Sequence, residues 1–172
     1  MDYLHEPYLF YYLPRYNNKL KPMKKAPKKV YVVGNGFVQA KACYNLGILL
    51  ENIVFIELIR RGYDTERTMF YNRSRNDKEV DFVLREGVHI KCLVKVCYNM
   101  SSEKVEKREV GSLIECAYEL KCDTLVIMTN NDECIIEKDG YSIKVIPVLQ
   151  FKFFKKTSLL FSTYVAIYYS VG

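Results

Sequence analysis

Two acids hold the positions from which chemistry could be done. Glu51 falls in the apolar run GILLENIVFIELIRR, and Asp81 falls in EVDFV, just ahead of a tight turn and a further apolar stretch at residues 89–98. An acid on a helix and an acid on a turn-proximal strand can converge on one divalent ion. Hard cations such as Mg²⁺ take carboxylate oxygens and retain waters, one of which can become a nucleophile. Glu51 and Asp81 are therefore candidate ligands. The plainer reading is a pair of acids on solvated faces.

Other chemistries are poorly served. The run VYVVGNGFVQAKA has the strand and GxG of a dinucleotide fingerprint, but Gln39 stands at the third glycine position. The next long apolar segment reads as a helix where a strand ending in an acid is required, so a simple turn is expected. No GxxxxGK[ST] run is present, which excludes a P-loop in this sequence. The six cysteines, at 43, 92, 97, 116, 122 and 134, form no CxxC pair. His5 and His89 are too far apart in sequence to supply local zinc-ligand pairs. MDYLHEPYLFYYLPRY lacks the pattern of a signal peptide, so free thiols in a reducing, cytoplasmic setting are expected.

The elements that would position Glu51 and Asp81 follow from composition and period. With 172 residues, 49% hydrophobic and 27% charged, the chain has the makings of one folded domain with short extensions. Four of the five prolines lie in the first 27 residues, among Lys19, Lys21, Lys24, Lys25, Lys28 and Lys29. Residues 1–29 thus read as a basic lead-in arm outside the core, with regular structure beginning at Val30. The net charge of +6 sits at the two ends of the chain, while residues 30–150 are slightly acidic. Lys24, Lys25, Lys28 and Lys29 are candidate contacts for the phosphates of DNA.

A helix is expected over 47–61, capped by Gly62, and strands over 68–71, 79–85 and 89–98. Val80, Phe82 and Leu84 alternate with Glu79, Asp81 and Arg85, which predicts one buried face, and Glu86-Gly87 predicts a hairpin. A helix over 103–121 is capped by Ser101 or Ser102 and buries Val110, Leu113, Ile114, Ala117 and Leu120. TLVIMT at 124–129 reads as a central strand, and a last hairpin surrounds Asp139-Gly140. The fold class is α/β, a mixed central sheet flanked by helices over residues 30–150.

The pieces YLHEPYLFYYLPRY, PKKVYVV, GILLENIVFIELIRRGY, NDKEVDFVLREG, KVCYNMSSE, CDTLVIMT and IPVLQF, in this order, resemble the C-terminal region of a family of archaeal AAA+-type ATPases. That region is classed as a domain of unknown function and is similar to the restriction-endonuclease-like, or PD-(D/E)xK, fold. The resemblance covers residues 1–150. It implies that an ATPase module belongs ahead of this region, so the chain reads as a truncated or stand-alone C-terminal piece. Residues 151–172 depart from the pattern. They end in sixteen uncharged residues which, as a helix, would span about 24 Å, short of a hydrocarbon core of about 30 Å, so membrane anchoring is not expected.

The resemblance places Glu51 at the family's helix glutamate and Asp81 at its metal-binding aspartate. Glu-x-Lys belongs on the next strand, and this chain carries Lys95-Val96-Cys97 there. A lysine thus replaces an anionic ligand, and a cysteine replaces the cationic lysine. The resemblance therefore implies a degenerate nuclease site at Glu51, Asp81, Lys95 and Cys97, with no metal and no cofactor. The expected function is a non-catalytic accessory module that binds DNA backbone, an ATPase or another protein partner. The alternative is a Mg²⁺-dependent endonuclease in which Glu51 and Asp81 hold the ion and Lys95 is the cation.

Overall fold

A computed structural model describes residues 9–17, 26–34, 45–74 and 76–153. Lys24, Lys25, Cys43, His5 and the tail from residue 154 lie outside the described residues. Eleven elements follow in chain order among those described: β1 (Phe10–Leu13), β2 (Lys29–Val32), α1 (Leu46–Arg60), β3 (Met69–Arg73), β4 (Glu79–Glu86), β5 (His89–Val96), α2 (Glu103–Leu120), β6 (Leu125–Thr129), β7 (Cys134–Lys138), β8 (Tyr141–Pro147) and α3 (Val148–Phe153).

Six strands form one mixed sheet in the order β3-β4-β5-β6-β8-β7. β3, β4 and β5 meander antiparallel, and α2 then carries the chain across so that β6 lies parallel to β5. β8 joins β6 in parallel, and β7 closes the order as its antiparallel partner. A parallel neighbour on each side requires a strand buried on both faces, and every residue of β6 is buried. The turns carry the residues they demand: Gly87 has φ +61°, and the β7–β8 turn places Asp139 and Gly140 at φ 51° and 80°.

Each face of the sheet has its own core. On one side α1 lays Leu50, Val54, Phe55 and Leu58 against Phe82, Leu84, Val94, Val126 and Met128. On the other, α2 lays Val110, Leu113, Cys116 and Ala117 against Val83, Leu93, Leu125 and Ile127. The expected fold class, a mixed α/β sheet flanked by helices, is what forms.

Two expectations are corrected. β4 does not have one buried face: Val80 packs on the α2 side, whereas Phe82 and Leu84 pack on the α1 side. The register explains it. Phe70 pairs with Val83 and Asn72 with Val80, so Tyr71 alone faces Asp81 and Phe82. This β-bulge inserts one residue, reverses the alternation and re-aims the side chain at the extra position. Asp81 sits at that position.

Regular structure also begins before Val30. β1 pairs antiparallel with β2, and Leu13 is fully buried in the α1-side core. Beyond β1 the chain runs along the outer edge of β3: the Tyr71 N–H donates to the Pro14 carbonyl and the Tyr16 N–H to the Tyr71 carbonyl. A sheet edge left open invites pairing with other chains, and this segment covers it.

The central strand supplies the stability test. Val126 is fully buried on β6 between two parallel neighbours. Val126→Asp places an unpaired charge there, and a loss of more than about 4 kcal/mol is expected, enough to leave a domain of this size unfolded. Circular dichroism of the variant should show no cooperative transition; a cooperative one near that of the parent would contradict the assigned core.

Candidate functional site

The site lies where β2, α1, β4, β5 and α2 meet. α1 starts at Asn45, whose side chain accepts from the Gly47 and Ile48 N–H groups. Two turns later, Asn52 clamps β2: its Oδ1 accepts from the Val32 N–H at 3.0 Å, and its Nδ2 donates to the Val32 carbonyl at 3.1 Å. The hairpin β1–β2 is held further by Tyr31, whose ring stacks on Phe55 with centroids 4.1 Å apart. Tyr31 and Lys29 are two apart on β2, so both side chains point inward.

Lys29 Nζ is 2.6 Å from Glu79 Oε1, 2.9 Å from Glu51 Oε1 and 3.0 Å from Asp81 Oδ1. The Tyr31 hydroxyl donates to the same Glu51 oxygen at 2.6 Å. The other Asp81 oxygen accepts from the Val96 N–H at 2.8 Å and lies 3.3 Å from Lys95 Nζ. Paired backbone positions of β4 and β5 stop at Phe82 and Val94, so the Asp81 carboxylate replaces a ladder bond beyond that point. Lys95 also lies 3.5 Å from Glu109 of α2, which in turn binds the Arg108 guanidinium at 2.7 Å. Four carboxylates and three cations thus form one chain of contacts. Asp81, 3% exposed, is its most buried charge.

The electrostatics follow from this mixture. Burial alone would lower Lys29, but Asp81 and Glu51 outweigh it, and the ammonium is held well above the usual lysine range. Lys95 behaves likewise, with Asp81 and then Glu109 outweighing burial. Glu51 moves up, unlike an ordinary ion-pair carboxylate, because burial and the charge of Asp81 exceed the pull of Lys29 and Tyr31. Burial, followed by Glu51, raises the Tyr31 phenol well above its usual value.

The sequence-expected residues divide. Glu51, Asp81 and Lys95 share the network. Cys97 takes no polar part in it: its thiol donates to the Asn99 carbonyl at 3.3 Å, and burial, more than the nearby Glu109, raises it. Lys29, expected to face phosphate, instead points into the carboxylates, whereas Lys28 is exposed. Sequence reasoning passed over Glu79, Glu109 and Tyr31. The signal for Tyr31 and Lys29 was their shared parity on a strand that begins one residue earlier than expected.

A Mg²⁺ ion needs carboxylate oxygens at about 2.0–2.1 Å around one point. Glu51, Glu79 and Asp81 do surround one point, and the Lys29 ammonium occupies it. Among the described residues, no group of three or more His, Cys, Asp or Glu side chains is set to hold an ion as they stand. The residues present therefore do not fit a bound Mg²⁺. No described helix is long and apolar enough to cross a membrane.

Fold and site together define a mixed α/β domain with a lysine-filled acidic centre on one end of its sheet. Residues 46–151 match the family described as "Domain of unknown function (DUF4143)", and the chain belongs to that family. The match includes Glu51, Glu79, Asp81, Lys95 and Glu109. Among curated proteins, the chain is 32% identical over 154 residues to the uncharacterized protein MJ1544 of Methanocaldococcus jannaschii, covering 86% of this chain and 34% of that one. It is 36% identical over 93 residues to an uncharacterized protein of Haemophilus influenzae, covering 52% of this chain and 22% of the relative. The chain spans about a third or less of the length of these relatives. Among solved structures, it is similar to a chain in a half-complex of Thermococcus gammatolerans McrB AAA+ hexamers with bound McrC. That similarity has a TM-score of 0.43 at 14% identity, over 65% of this chain and 31% of that one.

The lysines give the network a pH signature. Both have folded values raised above the unfolded one, so their stabilisation is complete below the unfolded value of about 10.4 and is lost as pH rises through the raised folded values. Denaturant unfolding should therefore show stability falling above about pH 10. Lys29→Met should cost roughly 2 kcal/mol at neutral pH, because it removes one of the two cations on buried Asp81 and the counter-charge of half-buried Glu51 and Glu79, and should make the alkaline loss shallower. An alkaline loss as steep in the variant as in the parent would remove Lys29 as its source.

Proposed function

We propose that this chain is a non-catalytic, endonuclease-like accessory module, a C-terminal part of an archaeal ATPase-type protein that acts by holding a partner or DNA backbone. One observation carries this reading: the acids that would bind a catalytic ion in a restriction-endonuclease-like site are each paired with a lysine of the chain itself. A phosphodiester-cleaving site of this type needs anionic ligands for the ion and a cation for the water or the developing charge. Here Lys29 and Lys95 supply positive charge where ligands would be needed, and Cys97 is a neutral thiol. The module works without Mg²⁺ or any other cofactor.

The ATPase connection rests on the resemblance of the whole 1–150 region and on relatives about two and a half times the length of this chain. With Lys29 engaged internally, phosphate contact by the arm falls to Lys24, Lys25 and Lys28. Such contact would be steeply salt-dependent and nearly indifferent to base sequence.

The deciding experiment pairs metal binding with cleavage. Calorimetry of the unaltered protein with Mg²⁺ or Mn²⁺ should show no heat that depends on Asp81. Branched and linear DNA should remain uncut above an Asp81→Ala control. Metal-dependent cleavage abolished by Asp81→Ala would establish the nuclease alternative built on Glu51, Asp81 and Lys95.

A further inference from the structure

The replacement of the family's anionic ligand by Lys95 is the obvious reason for a metal-free centre, but the geometry points elsewhere. Lys95 Nζ approaches the network at 3.3 and 3.5 Å and touches only the outer oxygen of Asp81, the one already bound by the Val96 N–H. Lys29 Nζ stands within 3.0 Å of three separate carboxylates and takes the inner oxygen of Asp81. The centre is thus more than a group of acids: it already coordinates a cation, an ammonium delivered on a four-carbon tether from β2.

We propose that Lys29 is a built-in counter-cation that closes a divalent-cation position formed by Glu51 Oε1, Glu79 Oε1 and Asp81 Oδ1, and that Lys29, not Lys95, is what excludes the ion. This rests on the non-catalytic reading of the site and names the residue responsible for it. The three oxygens lie 2.6–3.0 Å from one point. Calcium–oxygen distances are about 2.3–2.6 Å, so a contraction of a few tenths of an ångström suffices, with water completing the shell. Two of the acids keep their placement without Lys29. Glu51 retains the Tyr31 hydroxyl, and Asp81 retains the Val96 N–H and Lys95. The hairpin that carries Lys29 is anchored independently by Leu13, by the Tyr31–Phe55 stack and by Asn52. Removal of the lysine side chain therefore opens the position without undocking its strand. Reversion of Lys95 and Cys97 to the family's Glu and Lys leaves it closed.

The test is calorimetric titration of the full chain with CaCl₂ and with MnCl₂, for the parent, Lys29→Ala, Lys95→Ala and the double change Lys29→Ala/Asp81→Asn. Lys29→Ala should gain one ion per chain and a rise in melting temperature with ion concentration, both lost in the double change. The parent and Lys95→Ala should gain neither. A folded Lys29→Ala protein that binds no ion, or ion binding by Lys95→Ala alone, would overturn the proposal. A reading on the unaltered protein covers the event that Lys29→Ala does not fold. Amine-directed acylation followed by mass spectrometry should modify Lys29 at least roughly tenfold more slowly than the exposed Lys28, because a half-buried ammonium paired with three carboxylates seldom opens or deprotonates. Equal rates would defeat the assignment. Cleavage of DNA by the parent would sink the non-catalytic reading, whereas a silent Lys29→Ala would sink only the role given to Lys29.

Discussion

Asp81 is the charge on which the rest of this site depends. A carboxylate 3% exposed is untenable unless its oxygens are bonded and its charge is met. Both conditions are satisfied from several directions at once: one oxygen takes Lys29, and the other takes the Val96 N–H and Lys95. The partners arrive on two strands, Lys29 on β2 and the other two on β5. The β4 bulge opposite Tyr71 turns Asp81 toward β2, β5 runs beside it, and the β1–β2 hairpin docks with Lys29 facing inward. The electrostatic demand of one residue thus adds to the Leu13, Tyr31 and Asn52 contacts that already hold the hairpin.

That arrangement differs from a surface salt bridge in kind. Exposed pairs such as Lys107–Glu103 on α2 contribute little, because water screens them and two long side chains must be ordered. The central network is enclosed at Asp81 and Glu109 and half-buried at Lys29, Glu51 and Glu79, so water screens it far less. Paired charges in such surroundings are often no better than apolar residues of the same size, but breaking one pair strands the other charge. The network is therefore intolerant of single losses, and it specifies geometry more than it adds stability.

Much of the scaffold was legible in the sequence. Helices expected over 47–61 and 103–121 form at Leu46–Arg60 and Glu103–Leu120, because apolar period and Gly62 mark them; Ser102 stands at the N-cap of α2, but its side chain makes no capping bond. TLVIMT announces a strand covered on both faces, and Gly87 and Gly140 announce their turns. β1 was not legible: FYYL lies between two prolines, has no alternation to read and becomes a strand only by pairing with β2 across an intervening segment. The faces of β4 were misread because a bulge adds a residue without leaving a mark in composition. Glu51, Asp81 and Lys95 were found from spacing and resemblance together. Lys29 was seen only as one of several lysines, since its partners Glu51 and Asp81 lie 22 and 52 residues further on. A charge that long-range topology buries looks, in sequence, like a solvated one.

The most direct observation of the central claim is the ¹⁵N–¹H spectrum of the lysine ammonium groups, with and without Mg²⁺. Ammonium protons in water exchange too fast to be seen at neutral pH, whereas those held by carboxylates in a buried site persist. Signals from Lys29 and Lys95 should appear at neutral pH, assigned by their absence in Lys29→Met and Lys95→Met, and should not move when Mg²⁺ is added in excess. Loss of the Lys29 signal on adding Mg²⁺, with that of Lys95 retained, would mean that the ion displaces the lysine and that the centre is a metal site in the protein as it stands.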